Sequence, residues 1–332
     1  MSEKFNLSGK KVLVTGGTGM IGRALVDKLI KKNCEITIAS IDRPNVTDEL
    51  LKATEFTFCD LRDFQETKNL AKNKDVVFHL AGIKGSPKMT AEKPSTFFTN
   101  TLMFNLNMME SARIAGVKRY LFTSSVGVYS PSDIFVEDDV WTTFPSDNDR
   151  FAGYAKRMGE LQAAANQLEY GWKAVSIVRP ANVYGPFDNF DSATGMVIPS
   201  LISRFASEEH PIKIWGDGTA VRDFIYCEDV ANGMIDVIEK NYTLPVNLGS
   251  GAGTRISEIA EILLEIFPNK EIIWDSKMPK GDDIRLMDTT RAESIGIKSK
   301  IDIKQGLTKT VDWYLNHREL SDFRYNAFKE ER

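Results

Sequence analysis

The chain has 332 residues, 42% hydrophobic and 27% charged, a globular profile with room for one large core and a second lobe and too apolar for disorder. Its 42 basic and 46 acidic residues leave a net charge of −4, which removes the electrostatic footprint of a nucleic-acid binder. Cys34, Cys59 and Cys227 are scattered and odd in number, and the opening MSEKFNLSGKK has no apolar leader core; with no apolar run of about 18 residues, a cytoplasmic protein without membrane span, disulfide framework or metal site is expected.

The predicted elements alternate. A strand over Lys11–Thr15 (KVLVT) runs into the turn Thr15-Gly16-Gly17-Thr18-Gly19-Met20-Ile21-Gly22, and a helix follows with Ile21, Leu25 and Leu29 on one stripe. Further strands are predicted at Glu35–Ser40, 75–80, 119–124 and 174–179, and a shorter extended run at 55–59. They are near-continuously apolar and rich in Val and Ile, as strands covered on both faces are. Phe97, Phe98, Leu102, Met103, Phe104, Leu106, Met108 and Met109 make one helical stretch apolar nearly all round. Met158, Leu161, Ala165 and Leu168 stripe another that starts near Tyr154. Strand–helix alternation predicts an α/β fold with a doubly wound parallel sheet and a second, smaller C-terminal lobe.

After Pro180 the pattern loosens. Runs at 222–227 and 244–248 read as a return to the sheet, 256–267 as a helix, and the tail from Asn316 as charged and fraying. The expected division is a dinucleotide-binding domain over 1–179 plus about 217–248, and a substrate lobe over 180–216 plus 249–332.

The glycine turn is the strongest local signal. Gly16, Gly19 and Gly22 allow a tight turn, close approach of a pyrophosphate and close packing of the helix, whose N-terminus offers unpaired N–H groups. Ser40 and Asp42 stand where the adenine ribose would lie. Asp42 favours NAD, whereas Arg43 would attract the 2′-phosphate of NADP. Asp60, after the run 55–59, is expected at the adenine.

Together with that turn, His79-Leu80-Ala81-Gly82, Thr123-Ser124-Ser125, Tyr154-Ala155-Lys156-Arg157, Arg179-Pro180-Ala181-Asn182-Val183-Tyr184-Gly185-Pro186, Val197-Ile198-Pro199, Arg222-Asp223-Phe224 and Arg285-Leu286-Met287-Asp288 resemble the extended short-chain dehydrogenase/reductase superfamily over nearly the whole chain. The resemblance is greatest to its nucleotide-sugar branch, the GDP-fucose synthases and GDP-heptose 4-oxidising enzymes. It implies cofactor contacts from Gly16, Thr18, Gly19, Met20, Ile21, Gly22, Ser40, Asp42, Arg43, Asp60, Leu61, Leu80, Ala81, Gly82 and Lys156. It implies catalysis by Ser125 and Lys156, and substrate contacts from Lys84, Ser125, Asn182, Val197, Arg222 and Arg285, the two arginines neutralising a diphosphate.

The departures narrow the chemistry. The superfamily's acid/base tyrosine stands four residues before the lysine, and here that position is Ala152. Tyr154, two residues before Lys156, points about 200° around the helix from it. GDP-fucose synthases epimerise with a cysteine and a histidine at positions that here hold Gly127 and Met196. The acidic pair of the 4,6-dehydratases is replaced by Val126-Gly127. Hydride transfer at a ring carbon, C4 by resemblance, is what remains, with NAD or NADP as cofactor. A relay through Ser125 and water under the field of Lys156 would move the proton, with Lys84 and Tyr184 in reserve. A C4 epimerase and a cofactor-loaded binding protein without turnover stay open. The apolar helices around Met103 and Met158 suggest a homodimer.

Overall fold

The chain alternates strand and helix through its first half: β1 (Lys11–Thr15), α1 (Met20–Lys31), β2 (Glu35–Ser40), α2 (Glu49–Lys52), β3 (Glu55–Phe58), α3 (Phe64–Ala71), β4 (Val76–His79), α4 (Pro87–Glu92), α5 (Pro94–Ile114), β5 (Arg119–Thr123), β6 (Ile134–Phe135), α6 (Arg150–Tyr170) and β7 (Val175–Pro180). The second half runs β8 (Asn182–Tyr184), α7 (Val197–Phe205), β9 (Ile212–Trp215), β10 (Val221–Tyr226), α8 (Cys227–Glu239), β11 (Val246–Leu248), β12 (Gly253–Arg255), α9 (Ile256–Ile266), β13 (Ile272–Asp275), β14 (Ile284–Met287), α10 (Thr290–Ser294) and α11 (Ile303–Asn316). The computed structural model describes residues 4–42, 49–83, 87–192, 194–278 and 282–319.

Seven strands form one sheet in the order β11-β7-β5-β4-β1-β2-β3, every neighbouring pair parallel. The chain winds outward from β1 to β3, then crosses back to place β4 on the other side of β1. A topological switch point therefore opens between β1 and β4, where such sheets bind ligands. Both faces are covered. Leu25 and Leu29 of α1 pack with Val230 and Met234 of α8 on one side, and Met108 and Met109 of α5 with Ala163 of α6 on the other. Burial of each large side chain contributes about 1.5–3 kcal/mol.

The run 222–227 does not return to this sheet. β10 pairs with β8, β12 and β14 in a second sheet, while α8 that follows it covers the large one and β11 closes its edge. Together with the β9–β13 pair, α7, α9 and α11, the second sheet encloses a separate apolar cluster around Tyr184, Ile198, Phe205, Leu263 and Val311.

The stripe Met158, Leu161, Ala165 and Leu168 lies away from the sheet. Leu161 is 49% exposed and Leu168 87%, so the stripe faces outward. The inward face of α6 is made instead by Gly153, Ala155, Gly159 and Ala163, small residues that let the helix lie close to the sheet. A Cβ on Gly159 would meet the Phe122 ring at 2.4 Å. No helix among the described residues is long and apolar enough to cross a membrane, and none of them form a cluster of His, Cys, Asp or Glu fit to hold a metal ion.

Candidate active site

The turn after β1 is shaped for a backbone ligand. Gly16 has φ +69°, and a Cβ there would press within 3.0 Å of the Ala81 backbone, so β1 and β4 leave no room for a side chain at the switch point. A Cβ on Gly22 would lie 2.2 Å from the Gly16 carbonyl oxygen. The first turn of α1 thus sits directly on the glycine turn. Gly19 caps that helix with no side-chain acceptor, and the first turn holds no acidic residue, which leaves the N–H groups of Met20, Ile21 and Gly22 for an anion. The Met20 side chain packs into the second lobe's core.

At the ends of β1 and β2, Thr18 Oγ1 donates to Asp42 Oδ2 at 2.5 Å and lies 2.9 Å from Ser40 Oγ, which accepts from Asp42 N at 3.0 Å. Ser40 and Asp42, the two residues expected at the adenine ribose, therefore meet, and Thr18 of the glycine turn joins them. Arg43 lies outside the described residues, as does Lys84. Asp60 is gripped by Arg62, whose Nε is 2.9 Å from both carboxylate oxygens, so the pair and not a lone carboxylate faces the end of β3, beside buried Leu61.

His79 ends β4 fully buried. Its Nε2 meets the amide oxygen of Asn105 at 2.9 Å, so that nitrogen carries the proton, and Nδ1 accepts from Thr15 Oγ1 at 2.8 Å. Burial, and then the charge of Lys156, lower its pKa to about 3 and keep it neutral. Thr15 Oγ1 in turn accepts from Ala81 N at 3.3 Å, fixing the strand end beside Gly16. Leu80 and Ala81 are half-buried there, and Gly82 is exposed.

Lys156 projects from α6 and donates from Nζ to the Thr123 carbonyl at 2.8 Å, above the Phe122 ring. Burial lowers its pKa to about 8, with Glu160 opposing the shift. Ser125 follows β5 in extended conformation, and its Oγ accepts from Gly127 N at 3.1 Å, closing the 3-10 turn Val126–Val128. The three thiols are unsuited to nucleophilic work: burial raises Cys34 to about 11 and Cys59 and Cys227 to about 12. Tyr184 is in the second lobe's core, against Phe224, Tyr226 and Gly306, and burial raises its phenol, so it is no proton donor.

Across from this group, Arg222 of β10 and Arg285 of β14 are direct register partners. Burial, then the like charge of Arg285, lower the pKa of Arg222. Arg285 bonds from Nη2 to Asp149 Oδ2 at 2.9 Å and lies 3.6 Å from Asp282. Asn182 donates one amide N–H to the Asp223 carbonyl at 2.9 Å, joining β8 to β10. Val197 opens α7, half-buried.

Sequence reasoning missed the polar core behind these residues. Arg179 and Glu160, 0% and 2% exposed, form a buried ion pair. Glu160 also accepts from Ser124 Oγ at 2.6 Å, and Arg179 donates to Tyr129 Oη and the Glu137 carbonyl. Tyr129 donates to Asn247 Oδ1, and Asn247 donates to the Phe135 and Asp288 carbonyls. Glu160 stands one turn beyond Lys156, the one spacing that hinted at a link. The network ties α6, β7, β11, β6 and the end of β14 to Ser124, the residue before Ser125.

A parallel sheet with a glycine cradle at its switch point, a half-buried lysine and no room for a Cβ where the pyrophosphate would pass fits a dinucleotide-dependent enzyme. Residues 12–249 match the model of the NAD dependent epimerase/dehydratase family, and the chain belongs to that family, an enzyme using NAD(P). It is 30% identical over 329 residues to GDP-L-fucose synthase 1 of Arabidopsis thaliana, covering 95% of this chain and 97% of that one. It is 31% identical over 310 residues to a putative UDP-glucose 4-epimerase of Methanocaldococcus jannaschii, covering 92% and 99%. Among solved structures, an epimerase from Methanothermobacter thermautotrophicus superposes with a TM-score of 0.83 at 25% identity, over 95% of each chain. A UDP-glucose 4-epimerase from Thermotoga maritima, solved with UDP-glucose, superposes with 0.79 at 27% identity, over 92% of this chain and 99% of that one.

Proposed function

We propose that the protein is an NAD(P)-dependent oxidoreductase that moves a hydride at a ring carbon, C4, of a nucleotide sugar, GDP-linked and manno-configured. It would serve the supply of surface-polysaccharide precursors in the cytoplasm. The observation that carries the sugar-nucleotide part is the pairing of Arg222 with Arg285 in register. Two guanidiniums side by side repel, and a diphosphate relieves that repulsion with matched, two-pronged hydrogen bonds. Gly16, Gly19, Gly22, Asp42 and Lys156 would hold the dinucleotide, which supplies the hydride acceptor or donor when bound. Asp42 and Ser40 beside Thr18 favour NAD over NADP, since a carboxylate repels a 2′-phosphate.

This chain's own residues then divide the work. Lys156 places positive charge near the Thr123 carbonyl, and Ser125 orients the sugar oxygen. His79, neutral and doubly bonded, keeps Thr15 and Ala81 in place. Ser125→Ala is expected to lower turnover by about tenfold or more. The exposed apolar residues Met103, Leu106, Leu161 and Leu168 on α5 and α6 support a homodimer.

A C4 epimerase is the second reading, favoured by the epimerase relatives, and a binding protein without turnover is the third. Incubation with NAD+ or NADP+ and GDP-mannose, UDP-glucose or dTDP-glucose separates them. Net appearance of reduced nicotinamide supports the oxidoreductase. Interconversion of C4 epimers without net reduction supports the epimerase, and binding without either supports the third.

A further inference from the structure

The first turn of α6 meets the Ser125 loop at very close range. A Cβ on Gly153 would stand 2.2 Å from the Gly127 carbonyl oxygen, so glycine alone lets the helix come down on Val126–Val128. Gly127 has no side chain either, and its open side is filled by Asp149, the residue before α6. The position of a Cβ on Gly127 is 3.3 Å from Asp149 Cβ and Cγ and 3.4 Å from its Oδ1. Since Gly127 N also donates to Ser125 Oγ, one peptide turn bears the serine hydroxyl and faces the carboxylate.

The two carboxylate oxygens are not equivalent. Oδ2 is held by Arg285 Nη2 at 2.9 Å and Ser146 Oγ at 3.2 Å, whereas Oδ1 has no hydrogen-bond partner among the described residues. We propose that Asp149 is the proton-transfer residue of this site, with Oδ1 doing the work that a phenol at position 152 cannot do here. This rests on the hydride-transfer reading above. In the oxidising direction the C–H bond of the sugar carbinol breaks and its electron pair leaves as hydride to NAD(P)+. The O–H bond breaks, its proton passes to Asp149 Oδ1, and the electrons of that bond complete the ketone. The sugar is oxidised and the nicotinamide reduced; reduction of a ketone runs the same steps in reverse. Arg285 joins the two ends of the task, since the guanidinium that pins Oδ2 also flanks Arg222 at the expected diphosphate.

The test compares the wild-type enzyme with Asp149→Asn on whichever of GDP-mannose, UDP-glucose and dTDP-glucose the wild type turns over. The variant is expected to lose about 10²–10⁴ in kcat, while calorimetric Kd values for NAD+ and for that sugar nucleotide stay within about threefold. Added formate is expected to restore part of the rate. An Arg285→Gln background separates chemistry from scaffolding: a proton-transfer role predicts a further loss of about 10²-fold or more from Asp149→Asn there. If Asp149 only holds Arg285, the second substitution costs nothing. That result, or Asp149→Asn within about tenfold of wild type, overturns the assignment and leaves the oxidoreductase standing. A wild type that turns over none of the three sugars overturns both.

Discussion

Lys156 shows how burial sets chemistry at a single residue. Its ammonium sits among Phe122, the Thr123 carbonyl and neutral His79, and its pKa falls to about 8. If catalysis uses the charged form, kcat/KM falls as pH rises through about 8, and Lys156→Arg moves that limb to higher pH. The same shift bears on stability. A folded-state value below the ordinary 10.5 means the burial cost is fully present below about 8 and fades as pH climbs toward 10.5, so urea midpoints rise over that interval. Gly22 gives a steric counterpart. Gly22→Ala puts a methyl 2.2 Å from the Gly16 carbonyl oxygen, and about 1–3 kcal/mol of strain and weakened dinucleotide binding are expected, read from Tm and an NAD+ titration. Both residues were legible in the sequence through motif spacing. Asp149 was not, because its position depends on two glycines that let α6 approach a distant loop, and no local pattern carries that.

Elements differ in how openly they declare themselves. The strands of the large sheet are legible because both faces are buried and the runs are mostly apolar; in β4, β7 and β11 every residue is buried. β10 is equally apolar over Phe224–Tyr226 yet joins another sheet, since pairing partners are settled by register with β8, β12 and β14 and not by composition. α6 runs the other way: Leu161 and Leu168 face outward, while Gly153, Ala155, Gly159 and Ala163 are buried toward the sheet. Behind it the buried Glu160–Arg179 pair locks α6 to β7. Glu160→Gln leaves Arg179 buried without its counter-charge, and a loss of about 3–5 kcal/mol is expected in denaturant unfolding. Because Ser124 also bonds to Glu160, a surviving variant is expected to lose turnover more than cofactor affinity.

For the whole molecule, the large sheet carries the glycine turn at its switch point and the second sheet carries the paired arginines. The outward stripe of α6, with Leu161 49% and Leu168 87% exposed beside Met103 and Leu106 of α5, gives the molecule a face suited to a second copy. A dimeric mass is expected by light scattering at micromolar concentration, and Leu161→Glu with Leu168→Glu is expected to yield monomers; a monomeric wild type would remove the dimer. The direct trial of the proposed chemistry is an isotope experiment. The enzyme is given NAD+ and GDP-mannose carrying deuterium at C4, and the nicotinamide is analysed by mass spectrometry. Deuterium transferred to the reduced nicotinamide, with a keto sugar formed in equal amount, is the predicted result; deuterium retained on the sugar, with no transfer for it or for the UDP- and dTDP-glucose counterparts, would contradict it.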